Sequence, residues 1–214
     1  MRVYKTPLSP SDLAEIAAAL AGGAVALIPT DTVYGVAAHP ASAGGVAKLY
    51  ALKRRDASKP IPLLAASTEA VAGSGLRLEN AALKAAKKFW PGPLTIIIES
   101  SGGILPPYFN KSEDSSGGIL PPFYDKSEGV RVPDSATARE LCAAAGGMLR
   151  CTSANESGEP PALDAATAAA ALPGADILID GGPATIGVAS TVARFTKDGG
   201  VEIIRQGAVK IVNG

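Results

Sequence analysis

The chain has 214 residues, and its 20 basic and 20 acidic side chains leave no formal net charge at neutral pH. This balance argues against a protein that coats nucleic acid, because phosphate binding grows with the number of cations brought to it. The length fits one domain, and 47% hydrophobic but only 5% aromatic residues predict a core of Ala, Val, Ile and Leu.

Helix signals alternate with short apolar runs along the chain. Ser9-Pro10-Ser11-Asp12 predicts a helix start, because a hydroxyl cap, an early proline and an acid all favour a helix N-terminus. That helix should end at Gly22–Gly23, and the run 24–28 then predicts a strand buried on both faces. The same alternation predicts further helices at about 43–52, 79–90, 136–145 and 164–172. It predicts further strands at about 61–66, 94–98, 148–152, 177–180, 190–195 and 201–205.

This alternation indicates an α/β layered fold. The last two strands are expected to form a hairpin through residues 197–200, so the predicted sheet is mixed. Residues 100–114 (SSGGILPPYFNKSED) and 115–129 (SSGGILPPFYDKSEG) are nearly identical tandem copies. Because each copy contains Gly-Gly and Pro-Pro, we predict a loop insertion at 100–129 within a single domain 1–214. It would be either a passive surface excursion or a mobile lid.

Two cysteines, Cys142 and Cys151, lie in apolar runs and form no CxxC pair, so we expect reduced core thiols. The apolar stretch 13–28 is interrupted by Glu15 and two glycines, and it is too short to cross a bilayer. We therefore expect a cytoplasmic protein with no membrane contact.

Polar patches that follow predicted strands and helices are candidate ligand sites. The turn 29–35 (PTDTVYG) offers two hydroxyl groups and a carboxylate, and the turn 53–60 (KRRDASKP) carries Lys53, Arg55 and Lys59. Cations gathered without matching acids repel one another unless an anion joins them, and a triphosphate would meet that need. The alternative is a solvated helix end that favours cations at its negative pole.

Two further patches would suit phosphate or an adenine edge. In 151–158 (CTSANESG), Ser153 and Asn155 share a face if the chain is extended there, although turn chemistry alone would also explain them. Gly181 and Gly182 would let the backbone approach a ligand, and Arg205 follows a strand. The sequence has no Walker loop, no GxSxG elbow and a single histidine, which argues against P-loop and Ser–His–Asp chemistry.

Taken in order, eight short stretches resemble the YrdC-like threonylcarbamoyl-adenylate synthase family of the short single-domain type. They are PTDTVYG (29–35), KRRDASKP (53–60), FWPGPLT (89–95), GVRVP (129–133), TSANESG (152–158), DGG (180–182), STV (190–192) and RQGA (205–208). The resemblance implies a YrdC-like twisted mixed sheet with flanking helices and a concave basic face.

The resemblance also implies a reaction: L-threonine, bicarbonate and ATP condense to threonylcarbamoyl-AMP and pyrophosphate, a nucleotidyl transfer that serves threonylcarbamoyl-adenosine modification of tRNA. It implies a catalytic signature of Lys53, Arg55, Ser153 and Asn155. It implies ATP-binding residues Arg55, Lys59, Asn155 and Arg205. It implies threonine-binding residues Thr32, Arg131, Ser153 and Ser190.

By the same resemblance, Mg²⁺ would arrive with the triphosphate and no protein metal site is expected. The expected partners are downstream threonylcarbamoyl-transferase proteins and tRNA or double-stranded RNA. Four departures from the family pattern, Leu64, Leu163, Ala189 and Gln206, are expected to alter substrate contacts.

Two other functions stay open at this point. One is a carbamoyl-adenylate-forming domain of the kind found in hydrogenase-maturation proteins. The other is a module that binds RNA through one basic face without chemistry.

Overall fold

The computed structural model describes residues 1–99, 127–196 and 198–211. Within these ranges six helices and ten strands are found. The helices are α1 Pro10–Ala21, α2 Ala43–Leu52, α3 Thr68–Gly73, α4 Asn80–Phe89, α5 Ala136–Ala144 and α6 Ala165–Ala171. The strands are β1 Arg2–Lys5, β2 Val25–Ile28, β3 Gly35–Ala38, β4 Leu63–Ala65, β5 Leu94–Glu99, β6 Ser127–Arg131, β7 Met148–Ser153, β8 Ile177–Asp180, β9 Thr191–Phe195 and β10 Val201–Arg205.

All ten of these strands form one sheet, in the order β1-β8-β2-β3-β7-β4-β6-β5-β9-β10. Parallel pairs such as β1–β8 and β4–β6 stand beside antiparallel pairs such as β2–β3 and β9–β10. The predicted mixed sheet and the C-terminal hairpin are therefore confirmed. No helix in the described ranges has the length and apolar character needed to cross a membrane.

Strand β2 shows why the continuous apolar run forms a central strand. Ala26 and Ile28 pack into a cluster with apolar residues of α1 and α5, while Val25 and Leu27 pack into a second cluster with α2 and α6. Successive side chains of a strand point to opposite faces, so helices on both sides require apolar residues at every position.

The helix starts follow the local rules that the sequence suggests. At α1 the Asp12 amide donates to the Ser9 hydroxyl oxygen at 3.2 Å, and the Ser9 amide donates to the Asp12 carboxylate at 2.9 Å. This reciprocal capping satisfies two backbone donors that the first turn would otherwise leave free. Ser42, Ser67, Ser135 and Asp164 cap α2, α3, α5 and α6 in the same general way.

Four elements escaped the sequence analysis: β1, β3, α3 and β6. All four are only four to six residues long, and β3 begins at Gly35, the last residue of the PTDTVYG stretch, whose polar residues gave no strand signal. The predicted insertion is wrong at its C-terminal end, because residues 127–129 begin β6, which pairs with both β5 and β4. The rest of the predicted insertion, 100–126, lies outside the described residues, and the loop and lid alternatives stay predictions.

Candidate active site

A cavity of about 370 Å³ lies where the central and C-terminal strands of the sheet meet the turn after β2. Strands β5 and β6 present alternate residues to it, such as Gly129 and Arg131 from β6, and the end of β7 contributes residues 151–153. Six of the nine predicted site residues line it: Thr32, Arg55, Arg131, Ser153, Ser190 and Arg205. Three of these are arginines, and no acidic side chain is among the described residues that line the cavity.

Arg131 forms the most buried charged contact of the cavity. Its guanidinium donates to Oδ1 of Asp31, to Oγ1 of Thr32 at 2.8 Å and to the Gly92 carbonyl at 3.1 Å. Burial lowers the pKa of Arg131, and the Asp31 charge opposes that effect. Because both partners are nearly inaccessible to solvent, this pair fixes the PTDTVYG turn against β6.

Arg205, at the end of β10, lies against the loop before β9. Its Nη2 donates to the Ser190 carbonyl at 2.7 Å and to the Ser190 hydroxyl at 3.2 Å. The Ser190 hydroxyl is also 2.8 Å from that of Thr95. Burial lowers the pKa of Arg205, and the charges of Arg131 and Arg55 lower it further. An anion in the cavity would relieve this repulsion among guanidinium groups.

Arg55 holds its own loop as well as lining the cavity. Its Nε donates to the Lys59 carbonyl at 3.0 Å and its Nη2 to the Pro60 carbonyl at 3.1 Å. These two bonds set the plane of the guanidinium beside the cavity. The Lys59 side chain is exposed and does not line the cavity.

Lys53 is placed differently from the sequence-based expectation of three cations converging on one anion. Only 2% of the residue is exposed, and it does not line the cavity. Its ammonium donates to the carbonyls of Ser153 at 2.5 Å and Asn155 at 2.6 Å, and to Oδ1 of Asn155 at 3.2 Å. Arg54, which was not one of the three predicted cations, pairs with Glu156 at 3.0 Å.

The condition under which Ser153 and Asn155 would share one face, an extended chain, is not met, because β7 ends at Ser153 and the chain bends after it. Ser153 lines the cavity, whereas Asn155 is buried and absent from the lining. The Asn155 amide donates to the carbonyls of Glu156 at 3.0 Å and Glu159 at 2.5 Å. Lys53 and Asn155 thus hold the turn after β7 from behind, and their predicted roles toward ATP remain predictions.

Gly181 and Gly182 do not line the cavity, and their predicted approach to a ligand stays a prediction. A Cβ at Gly181 would lie 2.7 Å from Cγ of Pro29, so the glycine permits close packing of two turns. Gly182 adopts a φ of +76°, which favours glycine, and its carbonyl accepts from the Tyr34 hydroxyl at 2.8 Å. These glycines therefore shape the PTDTVYG turn.

The two cysteines are free and buried, as predicted. Cys151 lines the cavity, and burial raises the pKa of its thiol to about 12, which keeps it neutral. Of the four departures from the family pattern, Leu64 and Ala189 line the cavity, whereas Leu163 and Gln206 do not.

Sequence reasoning missed several residues that line the cavity, among them Thr95 and Gly129. Each lies inside a stretch that was singled out, yet its role depends on a contact with a distant strand. In the part of the chain that the structure describes, no three His, Cys, Asp or Glu residues group closely enough to hold a metal ion.

A family model described as Sua5/YciO/YrdC, telomere recombination, matches residues 18–207. Threonylcarbamoyl-AMP synthase of Chromohalobacter salexigens is 34% identical over 169 residues, which are 79% of this chain and 84% of that protein. The synthase of Bacillus subtilis is 31% identical over 194 residues, 89% of this chain and 53% of that protein. The crystal structure of Pyrococcus abyssi Sua5 complexed with L-threonine has a TM-score of 0.78 and 28% identity, and the match covers 96% of this chain and 57% of that one.

Proposed function

Because the chain belongs to the Sua5/YciO/YrdC family, we propose that it is a threonylcarbamoyl-AMP synthase. It condenses L-threonine, bicarbonate and ATP to threonylcarbamoyl-AMP and pyrophosphate, and it is therefore a nucleotidyltransferase. The observation that carries the proposal is the cavity, which combines three arginines and several hydroxyl groups with no acidic lining residue in the described ranges. Such a lining suits a substrate that carries several negative charges.

The reaction requires no covalent bond to the protein. The threonine amine attacks the bicarbonate carbon and water is lost, which gives a carbamate. A carbamate oxygen then bonds to the α-phosphorus of ATP as the bond to pyrophosphate breaks, and pyrophosphate leaves with that electron pair. Catalysis consequently rests on positioning the reactants and neutralising charge, which a rigid cationic cavity provides.

The proposed roles divide the cavity into two sides. Arg55 and Arg205 would face the phosphates, and the exposed Lys59 would reach them from outside. Arg131 and Ser190, with Thr32, would face L-threonine. The hydrogen bonds of Arg131 to Asp31 and Thr32 support this role, because they hold the guanidinium rigid before a ligand arrives.

Lys53 and Asn155 would act from behind, by holding the turn that presents Ser153. Since no acidic side chain lines the cavity in the described residues, Mg²⁺ would come with the triphosphate and be bound by phosphate oxygens and water. The product would pass, in the cytoplasm, to a threonylcarbamoyl transferase that acts on tRNA. Contact with tRNA or double-stranded RNA belongs to the same proposal.

A pyrophosphate-release assay tests the proposed function. We expect release that requires ATP, bicarbonate and L-threonine together, with L-serine and bicarbonate-depleted buffer as controls. Turnover that does not depend on threonine would favour a carbamoyl-adenylate-forming activity instead. RNA affinity without any turnover would favour the binding module.

The buried position of Lys53 predicts a pH effect. Desolvation lowers its pKa to about 8, and the Arg55 charge acts in the same direction. Between about pH 8 and the ordinary lysine pKa of 10.5, the folded protein loses this proton while the unfolded chain keeps it. The lysine's contribution to stability is therefore unfavourable below about pH 8 and improves as the pH rises above it.

Turnover should show the opposite trend, because neutral Lys53 holds the turn after β7 less firmly and adds no charge behind the cavity. We expect turnover to fall above about pH 8 in the wild-type protein. In Lys53→Arg, whose side chain keeps its charge, the fall should be absent. The measurement is kcat as a function of pH for both proteins. The same decrease in kcat above about pH 8 in both would contradict a role for this proton.

A further inference from the structure

The segment 59–62 (Lys-Pro-Ile-Pro) leads from the turn after α2 into β4 and forms one wall of the cavity; we call it the wall segment. Pro60 and Pro62 line the cavity directly. Because proline has no N–H group, two of the four residues cannot donate to a neighbouring strand. The wall segment therefore depends on donors that other elements bring to its carbonyl groups.

All four carbonyl groups of the wall segment accept hydrogen bonds. The donors are the Tyr50 hydroxyl and Arg55 Nε to residue 59, Arg55 Nη2 to residue 60, Arg150 Nη1 to residue 61 and the Cys151 amide to residue 62. The bond from Arg150 is 2.7 Å long, and that from the Cys151 amide is 3.0 Å. The wall segment is thus fixed at every residue, and three of its four carbonyl groups accept from arginine side chains.

Arg150 lies on β7 and forms an ion pair of 2.6 Å with Glu128 on β6, across the intervening strand β4. Side chains alternate along a strand, so Glu128 shares a face with Val130, and Arg150 with Met148, and these two apolar residues pack into one core cluster. Neither Glu128 nor Arg150 lines the cavity. The pair stands behind the cavity and does not touch a ligand bound there.

Stability alone does not explain why Glu128 and Arg150 form an ion pair inside the protein. Only 1% of the Arg150 side chain and 4% of the Glu128 side chain are exposed, so both charges have lost their hydration. Replacing such a pair by apolar side chains of similar volume is often neutral or stabilising, because the attraction hardly offsets the desolvation. What apolar side chains cannot supply is a directed donor to the Ile61 carbonyl.

We propose that Glu128 and Arg150 are positioning residues for the nucleotide side of the cavity. Glu128 orients the Arg150 guanidinium, which holds the Ile61 carbonyl and with it the wall segment. The neighbouring carbonyls of residues 59 and 60 in turn orient Arg55. The inference rests on the proposed function in assigning Arg55 and Lys59 to ATP.

The double variant Glu128→Leu/Arg150→Met tests this role. It removes both charges and the bond to Ile61 while keeping apolar volume behind the wall segment. We expect a midpoint of thermal unfolding close to that of the wild type. The KM for ATP should rise at least about tenfold, while the KM for L-threonine should change less than about twofold.

Two further variants separate positioning from packing. Glu128→Gln keeps an acceptor for Arg150, so its KM for ATP should stay near the wild-type value. Arg150→Lys keeps the charge, but its shorter side chain lacks the planar guanidinium whose Nη1 donates to both Glu128 and the Ile61 carbonyl, and it replaces the double variant if that one does not fold. Lys48→Met/Asp176→Asn is the control, because it removes an ion pair between α2 and the start of β8 whose residues do not line the cavity.

Hydrogen exchange gives a readout that does not depend on activity. The Cys151 amide donates to the Pro62 carbonyl, so its exchange should accelerate in the double variant while amides of β2 keep their protection. A folded double variant with unchanged KM for ATP and unchanged Cys151 exchange would overturn the inference. A wild-type protein with no threonine-dependent turnover would refute the proposed function instead, and the exchange experiment would still decide the positioning role.

Discussion

Arg131→Met should lower the free energy of unfolding by about 3–5 kcal/mol and abolish measurable turnover. The Asp31 carboxylate is only 4% exposed and would lose the one cation that pairs with it in the described residues. Its second oxygen already has no hydrogen-bond partner there, so the turn has no spare donor to compensate. Urea unfolding and the pyrophosphate assay measure the two effects.

The matched control for this variant is Asp31→Asn/Arg131→Met, which removes both charges. Because an amide costs far less to bury than an unpaired carboxylate, the double variant should recover most of the lost stability. Turnover should not recover, since the proposed contact of Arg131 with L-threonine is still missing. A single variant as stable as the wild type would show that the pair is not needed for folding.

Deleting the first copy of the tandem repeat and deleting the second copy should have different effects on turnover. Deletion of 100–114 leaves Glu128 and Gly129 in β6, and we expect it to keep wild-type turnover. Deletion of 115–129 places Glu113 at the position of Glu128 but Asp114 at that of Gly129. We expect this second deletion to lower kcat/KM for ATP at least about 100-fold, the scale of losing one charge-stabilising group.

The physical reason is the position of Gly129 in the cavity lining. A Cβ there would lie 3.2 Å from Cβ of Pro62 and 3.3 Å from Cδ1 of Ile97, so any side chain pushes on the wall segment. A carboxylate would also attract the arginines away from a bound anion. Both deletion variants keep a glutamate that can pair with Arg150, because Glu113 replaces Glu128 when 115–129 is deleted. Among the described residues that line the cavity, the two variants therefore differ at the position of Gly129.

Point variants complete the comparison of the two deletions. Gly129→Asp should reproduce the loss seen on deleting 115–129, and Gly129→Ala should show the steric part alone. Equal turnover in the two deletion variants would contradict the placement of Gly129 at the ligand. Loss of folding in both would show that the length of the repeat itself is structural.

Much of the fold was predictable because its signals are local. The capping residues of α1 lie within four positions of one another, and the uninterrupted apolar run of β2 directly indicates burial on both faces. Strand β6 was missed because its first residues repeat the sequence of the preceding copy, and a repeat resembles a loop when its pairing partners are unknown.

The sequence predicted which stretches of the chain form the site, but only partly which of their side chains face the cavity. Thr32, Arg131 and Arg205 line one cavity although they are distant in sequence, because neighbouring strands bring them to one place. Lys53 was expected to face a phosphate with Arg55. It faces inward, toward acceptors on Ser153 and Asn155. These acceptors lie about 100 positions further along the chain, so the residues around Lys53 do not reveal its direction.

The sequence by itself determined most of the helix starts and apolar strands, though not α3 or the buried strand β3, together with the family and the motif residues of the cavity. Those features follow from periodicity, capping and motif order, which act over a few residues. The tertiary structure alone decided which charges face the cavity and which are held behind it. A side chain's direction is set by the acceptors and carboxylates that other strands place around it. A local sequence pattern contains no information on which distant residues those are.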